Sequence, residues 1–341
     1  MRRFPETLAG LIEQSGLKLN TISKASGISH TYLTKLVSGR VNHPGKDKIA
    51  GILLALNRTF KEINAVLADY DYLPLDTPDI PAILANNRKR RIQGTTLPLF
   101  SHIYMELILS PMERQGGTKI LVKDRPSALF MPEGFYLKDE FPFDPEQDRR
   151  ARRFLHELTL ALLRERKAIF EENVRRGCGF ETYICRSCLE EYLGRVLPMA
   201  RGSKGDEERH YSAAYFGNAA AAIQTDPEQH RTFIVERCGH LHFQLQDADG
   251  AHPKVFHIGK KPHSFDNPHD SLSIQGFASD APSTIEIFRR ETELCRLAAV
   301  PELQRDYPGR LIDYFAGLFQ RAGLEKDFLE SMESGPQKGN G

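Results

Sequence analysis

The feature that most constrains this chain is a series of glycines at positions 16, 27 and 39, each closing a short run of apolar residues at helical spacing. Glycine ends helices readily because it enters the left-handed region without a Cβ clash. Leu8, Leu11 and Ile12 form a stripe before Gly16; Leu19, Ile22 and Ala25 form one before Gly27. After Gly27, Ser29 stands where an N-cap belongs, and Leu33, Leu36 and Val37 cluster at about 100° per residue. "GKDKIAGILLALN" and "TFKEINAVL" continue the pattern with Ile49, Ile52, Leu53, Leu56, Ile63 and Leu67. The spacing predicts an all-α module of five helices over residues 1–68.

Charge singles out the same segment. The 341 residues carry a formal net charge of +1, which excludes a chain that is basic throughout. Residues 1–68 hold ten Lys/Arg against four Asp/Glu, a net +6, leaving −5 for the remainder. That asymmetry points to a polyanion partner for the N-terminal part alone.

On the third helix, His30, Thr31, Thr34 and Lys35 fall opposite the apolar stripe, with Tyr32 at its edge. Together with Leu8, Gly16, Ile22, Ser23, Gly27, Ile28, Ser29, Leu33, Leu36, Gly39, Pro44, Ile52, Leu56 and Ile63, this pattern resembles the Cro/XRE-type helix-turn-helix of phage repressors. The likeness runs without a gap from Leu8 to Leu67, about a fifth of the chain. Leu19, Ser23 and Val37 depart from it, standing where the family often has Gln, Ala and Glu; the change at Leu19 removes a usual phosphate contact. The resemblance implies a recognition helix in the major groove of a double-stranded DNA operator. His30, Thr31 and Lys35 would face bases, and Ser29, Tyr32, Thr34, Arg40 and Asn42 would face phosphates. It also implies binding as a homodimer and repression more often than activation; that no enzyme motif occurs leads separately to the expectation of no catalysis and no cofactor.

Beyond the module, "DYDYLPLDTPDIP" spaces prolines between acids and reads as a boundary, so residues 69–96 are expected to be a linker with a short helix and the solvated basic turn "NNRKRR". Residues 97–333 read as a larger mixed α/β effector or dimerisation domain, an antiparallel sheet plus helices, and 334–341 as a disordered tail. Expected elements include two short strands in "TKILVKDRPSALFMP", a long helix ending at Gly177, a strand "FETYIC", a hairpin turning at Asp249–Gly250, and a helix in "STIEIFRRETELCRLAAVP". Leu155, Leu158 and Leu162 on the long helix are the candidate dimer seam.

Five cysteines in so long a chain do not make a disulfide framework and suit a reducing cytoplasm. No segment has the ~20 apolar residues of a membrane span. Cys185-x-x-Cys188 with Cys238 and His240 offers a zinc or thiol-redox alternative, thiolate and imidazole being zinc ligands. His240, His242, His257 and Lys260 stand beside Phe243, Val255, Phe256 and Ile258, a mixture suited to a small-molecule effector pocket. A third possibility, an enzyme carrying a DNA-targeting module, rests on "HIGKKPHSFD", His257 to Asp266; no G-x-S-x-G, P-loop or H-E-x-x-H accompanies it.

Overall fold

A computed structural model of the chain describes residues 4–56, 58–90, 96–139, 149–197, 205–236, 241–259 and 273–335. It has many helices and a mixed sheet with helices packed on it. By internal contacts the chain forms two compact units. One is Met1–Gln115 with Pro142–Ile169 and Lys261–Ala281; the other is Gly116–Phe141 with Phe170–Lys260 and Pro282–Gly341.

The first unit begins with α1 (Phe4–Ser15), α2 (Leu19–Ser26), α3 (His30–Val37), α4 (Lys46–Ala55) and α5 (Phe60–Ala68). Most of the stripe residues read from the sequence lie in its core: Leu8, Ile22, Leu33, Leu36, Ile49, Ile52, Leu53, Ile63 and Leu67 are all at 0% exposure, whereas Leu11, Ile12, Leu19 and Val37 are only half-buried. Helix α4 is buried from Ile49 through Ala55, which makes it the central element. A capping box starts α5: Thr59 Oγ1 accepts from Glu62 N, and the Glu62 carboxylate accepts from Thr59 N.

Residues 69–90 are not a loose connector. After a 3₁₀ turn at Thr77–Asp79, α6 (Ile80–Asn87) packs on α4, burying Ile80 and Ile83. Lys46 reaches across to Asp79 (2.6 Å), and Asn86 receives Lys48 Nζ (2.9 Å) while donating to Asp47 (2.8 Å). In the basic turn Arg88 and Lys89 are exposed, but Arg90 is buried, so the solvated turn holds only in part. Prolines and acids marked this stretch as a boundary; its apolar residues dock it nevertheless.

The first unit also contains β1 (Thr96–Ser101), α7 (His102–Glu113) and β7 (Ser273–Ser279), with β1 and β7 paired antiparallel. Helix α8 (Glu133–Asp139) belongs to the second unit. The long helix α9 (Arg149–Arg175) contributes its residues up to Ile169 to the first. There Phe154 meets Phe60 edge-on (5.2 Å), and Arg166 forks onto Glu113 (2.7 and 2.9 Å) while holding Glu106 (2.7 Å), all three charges buried. Residues expected to lie in one effector domain over 97–333 are thus shared between the two units. Of the expected dimer seam, Leu158 and Leu162 are at 0% exposure and belong to this core, whereas Leu155 is half-buried.

In the second unit the strands are β2 (Lys119–Lys123), β3 (Phe180–Cys185), β4 (His230–Val235), β5 (His242–Gln246) and β6 (Lys254–Gly259). Their order is β6-β5-β2-β3-β4. The expected antiparallel sheet is corrected to a mixed one: β5 is antiparallel to β2 and β6, but β2–β3 and β3–β4 are parallel. Parallel neighbours need long crossovers, and α9 spans β2 to β3 as α10 (Arg186–Val196) and α11 (Gly205–Thr225) span β3 to β4. The second strand expected near residue 128 is a 3₁₀ turn, Ala128–Phe130. Helices α12 (Pro282–Leu297), α13 (Gly309–Gln320) and α14 (Glu325–Ser334) complete the unit; the break between the last two carries Gly323 at φ +72°. At Gly217 of α11 a Cβ would lie 2.6 Å from the Phe328 carbonyl of α14, a helix contact that only glycine permits. The expected disordered tail lies, from residue 336, outside the described residues. No described helix is long and apolar enough to cross a membrane.

Candidate functional site

The α2–α3 turn is built by three residues. Gly27 adopts φ +72°, and its N–H bonds Ser23 O. Ser23 Oγ donates across the turn to Ile28 O (2.7 Å), and Ser26 Oγ accepts from Ile28 N (3.2 Å). Ser23, a departure from the family pattern, therefore has a structural use: it locks the turn. The Gly27 Cα faces α6 so closely that a Cβ would lie 2.5 Å from Asn86 O.

Ser29 caps α3, its Oγ accepting from Tyr32 N (3.3 Å). With Leu33 and Leu36 fully buried, His30, Thr31, Thr34 and Lys35 are presented together on the exposed side. Thr34 spends its proton inside the helix, on His30 O (2.9 Å), and keeps acceptor lone pairs outward. Beyond α3, Gly39 at φ +72° turns the chain so that Arg40 N and Val41 N both bond Lys35 O, leaving Arg40, Asn42 and His43 exposed. Tyr32, at the edge of the face, is half-buried, and burial, with Asp47 and Tyr72 nearby, raises its hydroxyl pKa.

The pattern in the sequence did not reveal His43. Its ring meets Tyr72 (5.3 Å) and Tyr70 (5.9 Å) edge-on, and Tyr72 Oη lies 3.2 Å from His43 Nδ1 and bonds Pro44 O at 3.1 Å. The loop after α3 is thus held by the stretch that composition marks as a boundary. Beneath it, burial lifts the Asp47 carboxyl, but hydrogen bonds from Asn86 and Lys48 outweigh that and hold its pKa below the usual value.

Of the candidate pocket residues, His242 and His257 are described and do not come together. His242 pairs with Ile258 and His257 with Phe243. Opposed residues share a face and neighbours alternate, so His242 and His257 point to opposite sides of the sheet. The expected joint pocket is corrected on that ground; His240 and Lys260 lie outside the described residues. His257 Nδ1–H donates to His242 O (2.8 Å), its ring lies by Phe288 (5.5 Å), and burial lowers its pKa against that hydrogen bond. A cavity of about 20 Å³ lies elsewhere, lined by Lys119, Phe130, Phe170, Phe180, His230 and Thr232 among others, space for a water rather than an effector.

Cys185 and Cys188 are buried at the β3–α10 junction, with Cys185 Sγ 3.3 Å from Ser187 Oγ. Cys238 and His240, their proposed partners, fall outside the described residues. Cys295 is the neighbour that the spacing did not show. Burial, with Glu291 and Cys185 adding to it, pushes its thiol up to about 11, which makes it a poor nucleophile. Among the described residues no group of three or more His, Cys, Asp or Glu is placed to hold a metal. Of the segment from His257 to Asp266, only His257 to Gly259 is described.

No family model, no curated protein and no solved structure matches this chain.

Proposed function

We propose that this chain is a sequence-specific DNA-binding transcription regulator, acting as a repressor, in which α2, the Gly27 turn and α3 form a helix-turn-helix of the Cro/XRE type. One observation carries the reading. Helix α3 is fixed from below by Leu33 and Leu36 and offers His30, Thr31, Thr34 and Lys35 on one exposed face, with a capped N-terminus. A helix of eight residues so mounted has the dimensions of a major-groove reader, whose first turn meets base edges. Lys35 can donate to guanine O6 and N7, and the Thr31 methyl can touch a thymine methyl. Arg40, Asn42 and the exposed His43 lie beyond the C-terminus of α3, where backbone phosphates would pass. The second unit would carry dimerisation or control.

The test starts from duplexes selected out of a random-sequence pool by the full chain. Replacing His30, Thr31 and Lys35 together by Ala should cost about 1–3 kcal/mol for each true base contact on the selected site. On unselected DNA it should remove little beyond one charge. Unchanged affinity for the selected site would show that α3 does not read DNA.

A further inference from the structure

Helix α12 is amphipathic twice over. Ile285, Phe288, Thr292 and Cys295 are buried at 2–5% exposure beneath it. On its other side Ile287 is 58% exposed, Leu294 52% and Leu297 84%. These are three of the five exposed large hydrophobics among the described residues. A single exposed leucine is ordinary, whereas an apolar stripe on one helix marks an interaction surface. At about 100° per residue, positions 287 and 294 differ by roughly 20° and 297 lies about 60° further round, with Arg290 between them.

We propose that this face pairs with the same face of a second copy of the chain, as an antiparallel helix pair about a two-fold axis level with Thr292. The stripe and its flanks choose both the partner and the direction. In that register Ile287 is level with Leu297 of the second copy, diagonally across the seam, and Leu294 is level with Arg290, whose aliphatic stem can cover it. In an antiparallel pair like flanks meet. Arg290 and Glu293 lie on the same flank of α12, so Arg290 comes within about one residue rise, ~1.5 Å along the axis, of Glu293 of the second copy. Symmetry makes that contact twice. A parallel pair in register would set Arg290 against Arg290. Glu286, Glu291 and Glu293 border the stripe and Arg290 lies within it, with Glu293 also held by Arg296 of the same helix (2.6 Å), so the face carries both signs of charge, as a self-complementary surface must.

One pair of helices of about 24 Å buries far less than the ~800 Å² per partner of a standard interface, so the dimer is weak in free solution. Two copies on neighbouring half-sites would meet at high effective concentration, where weak pairing suffices. The pairing itself does not depend on the DNA-binding reading, and its test contains no DNA.

Sedimentation equilibrium of the full chain from about 1 to about 300 µM reads the dissociation constant. The chain should dimerise within that range, and Leu294→Asp should raise the constant at least about tenfold. Position 294 is exposed, so circular dichroism and melting of this variant should match the parent. Arg290→Glu and Glu293→Arg should each weaken the dimer, and the double variant should recover it. A monomer at every concentration would overturn the proposal, as would a dimer indifferent to Leu294→Asp. Failure of the double variant to recover pairing would overturn the antiparallel register.

Discussion

Replacing Gly27 by Ala tests whether residues 69–90 are part of the folded first unit. Two costs add. The φ of +72° is left-handed, which costs an alanine about 1–2 kcal/mol. The new Cβ would also stand 2.5 Å from the Asn86 carbonyl and 3.3 Å from Arg90 N, both backbone atoms of α6 and its C-terminus. Relieving such a contact means shifting one element by several tenths of an ångström, an overpacking cost of about 1–3 kcal/mol. Gly39 supplies the control. It has the same φ of +72° but no atom within 4 Å of its would-be Cβ, so Gly39→Ala bears the conformational cost alone. Urea unfolding of the full chain, followed by circular dichroism, compares the two in one background, where multi-unit unfolding is common to both. Gly27→Ala should be the less stable by about 1–3 kcal/mol. Equal losses would mean that α6 does not seat against the turn and that the segment is the tether its composition suggests.

Arg166→Met should destabilise the first unit by about 3–5 kcal/mol, because Glu106 and Glu113 lose a buried counter-charge; replacing all three by apolar residues should cost far less, as chemical unfolding will show. Burial lowers the pKa of His230, with Asp226 opposing it. A depressed folded pKa gives stability that is full above the unfolded value of about 6.5 and lost as pH falls through the folded one, so His230→Phe should flatten the drop in melting temperature between about pH 7.5 and 5. An undiminished drop would mean that His230 is not held neutral. In salt titrations of DNA binding, Arg40→Ala, at a phosphate, should reduce the slope of log K against log salt by about 1, whereas Lys46→Ala should leave it unchanged.

How much was legible in the sequence depended on whether the signal was local. Helices α1–α5 follow from the glycine breaks and the 3.6-residue stripes, although Leu11, Ile12, Leu19 and Val37 are only half-buried and Leu54 and Val66, which no stripe named, are buried. The β3–α10 junction and the β5–β6 hairpin were also readable, the first from "FETYIC" before a helical pattern, the second from Asp249–Gly250. The parallel half of the sheet was not. Strands β2 and β3 are five and six residues long and separated by α9, and nothing in either names its neighbour. Helix α11 was missed because its run Ala219–Ala222 and its aromatics are apolar on several sides, so no stripe stands out. The paired histidines failed for a related reason: which face His242 and His257 occupy is set by register, which strand composition leaves open.

Charge shows the limit of a count most clearly. Six net positive charges over residues 1–68 suggested a polyanion surface, yet part of that charge is spent inside the fold. Lys46 is bound to Asp79, Lys48 to Asp47 and Asn86, and Arg58 to Glu62 and Gln14. Asp79 lies beyond the five helices, so the balance over residues 1–68 omitted a partner acid that α6 brings back. The exposed cations among the described residues of that stretch are Lys18, Lys35, Arg40 and Lys61. Two of these four, Lys35 and Arg40, lie in the last turn of α3 and just beyond its C-terminus. The electrostatic case for DNA therefore rests on where two side chains stand rather than on a sum of six. That is why the slope test separates Arg40 from Lys46: both carry one charge, and only the placement differs.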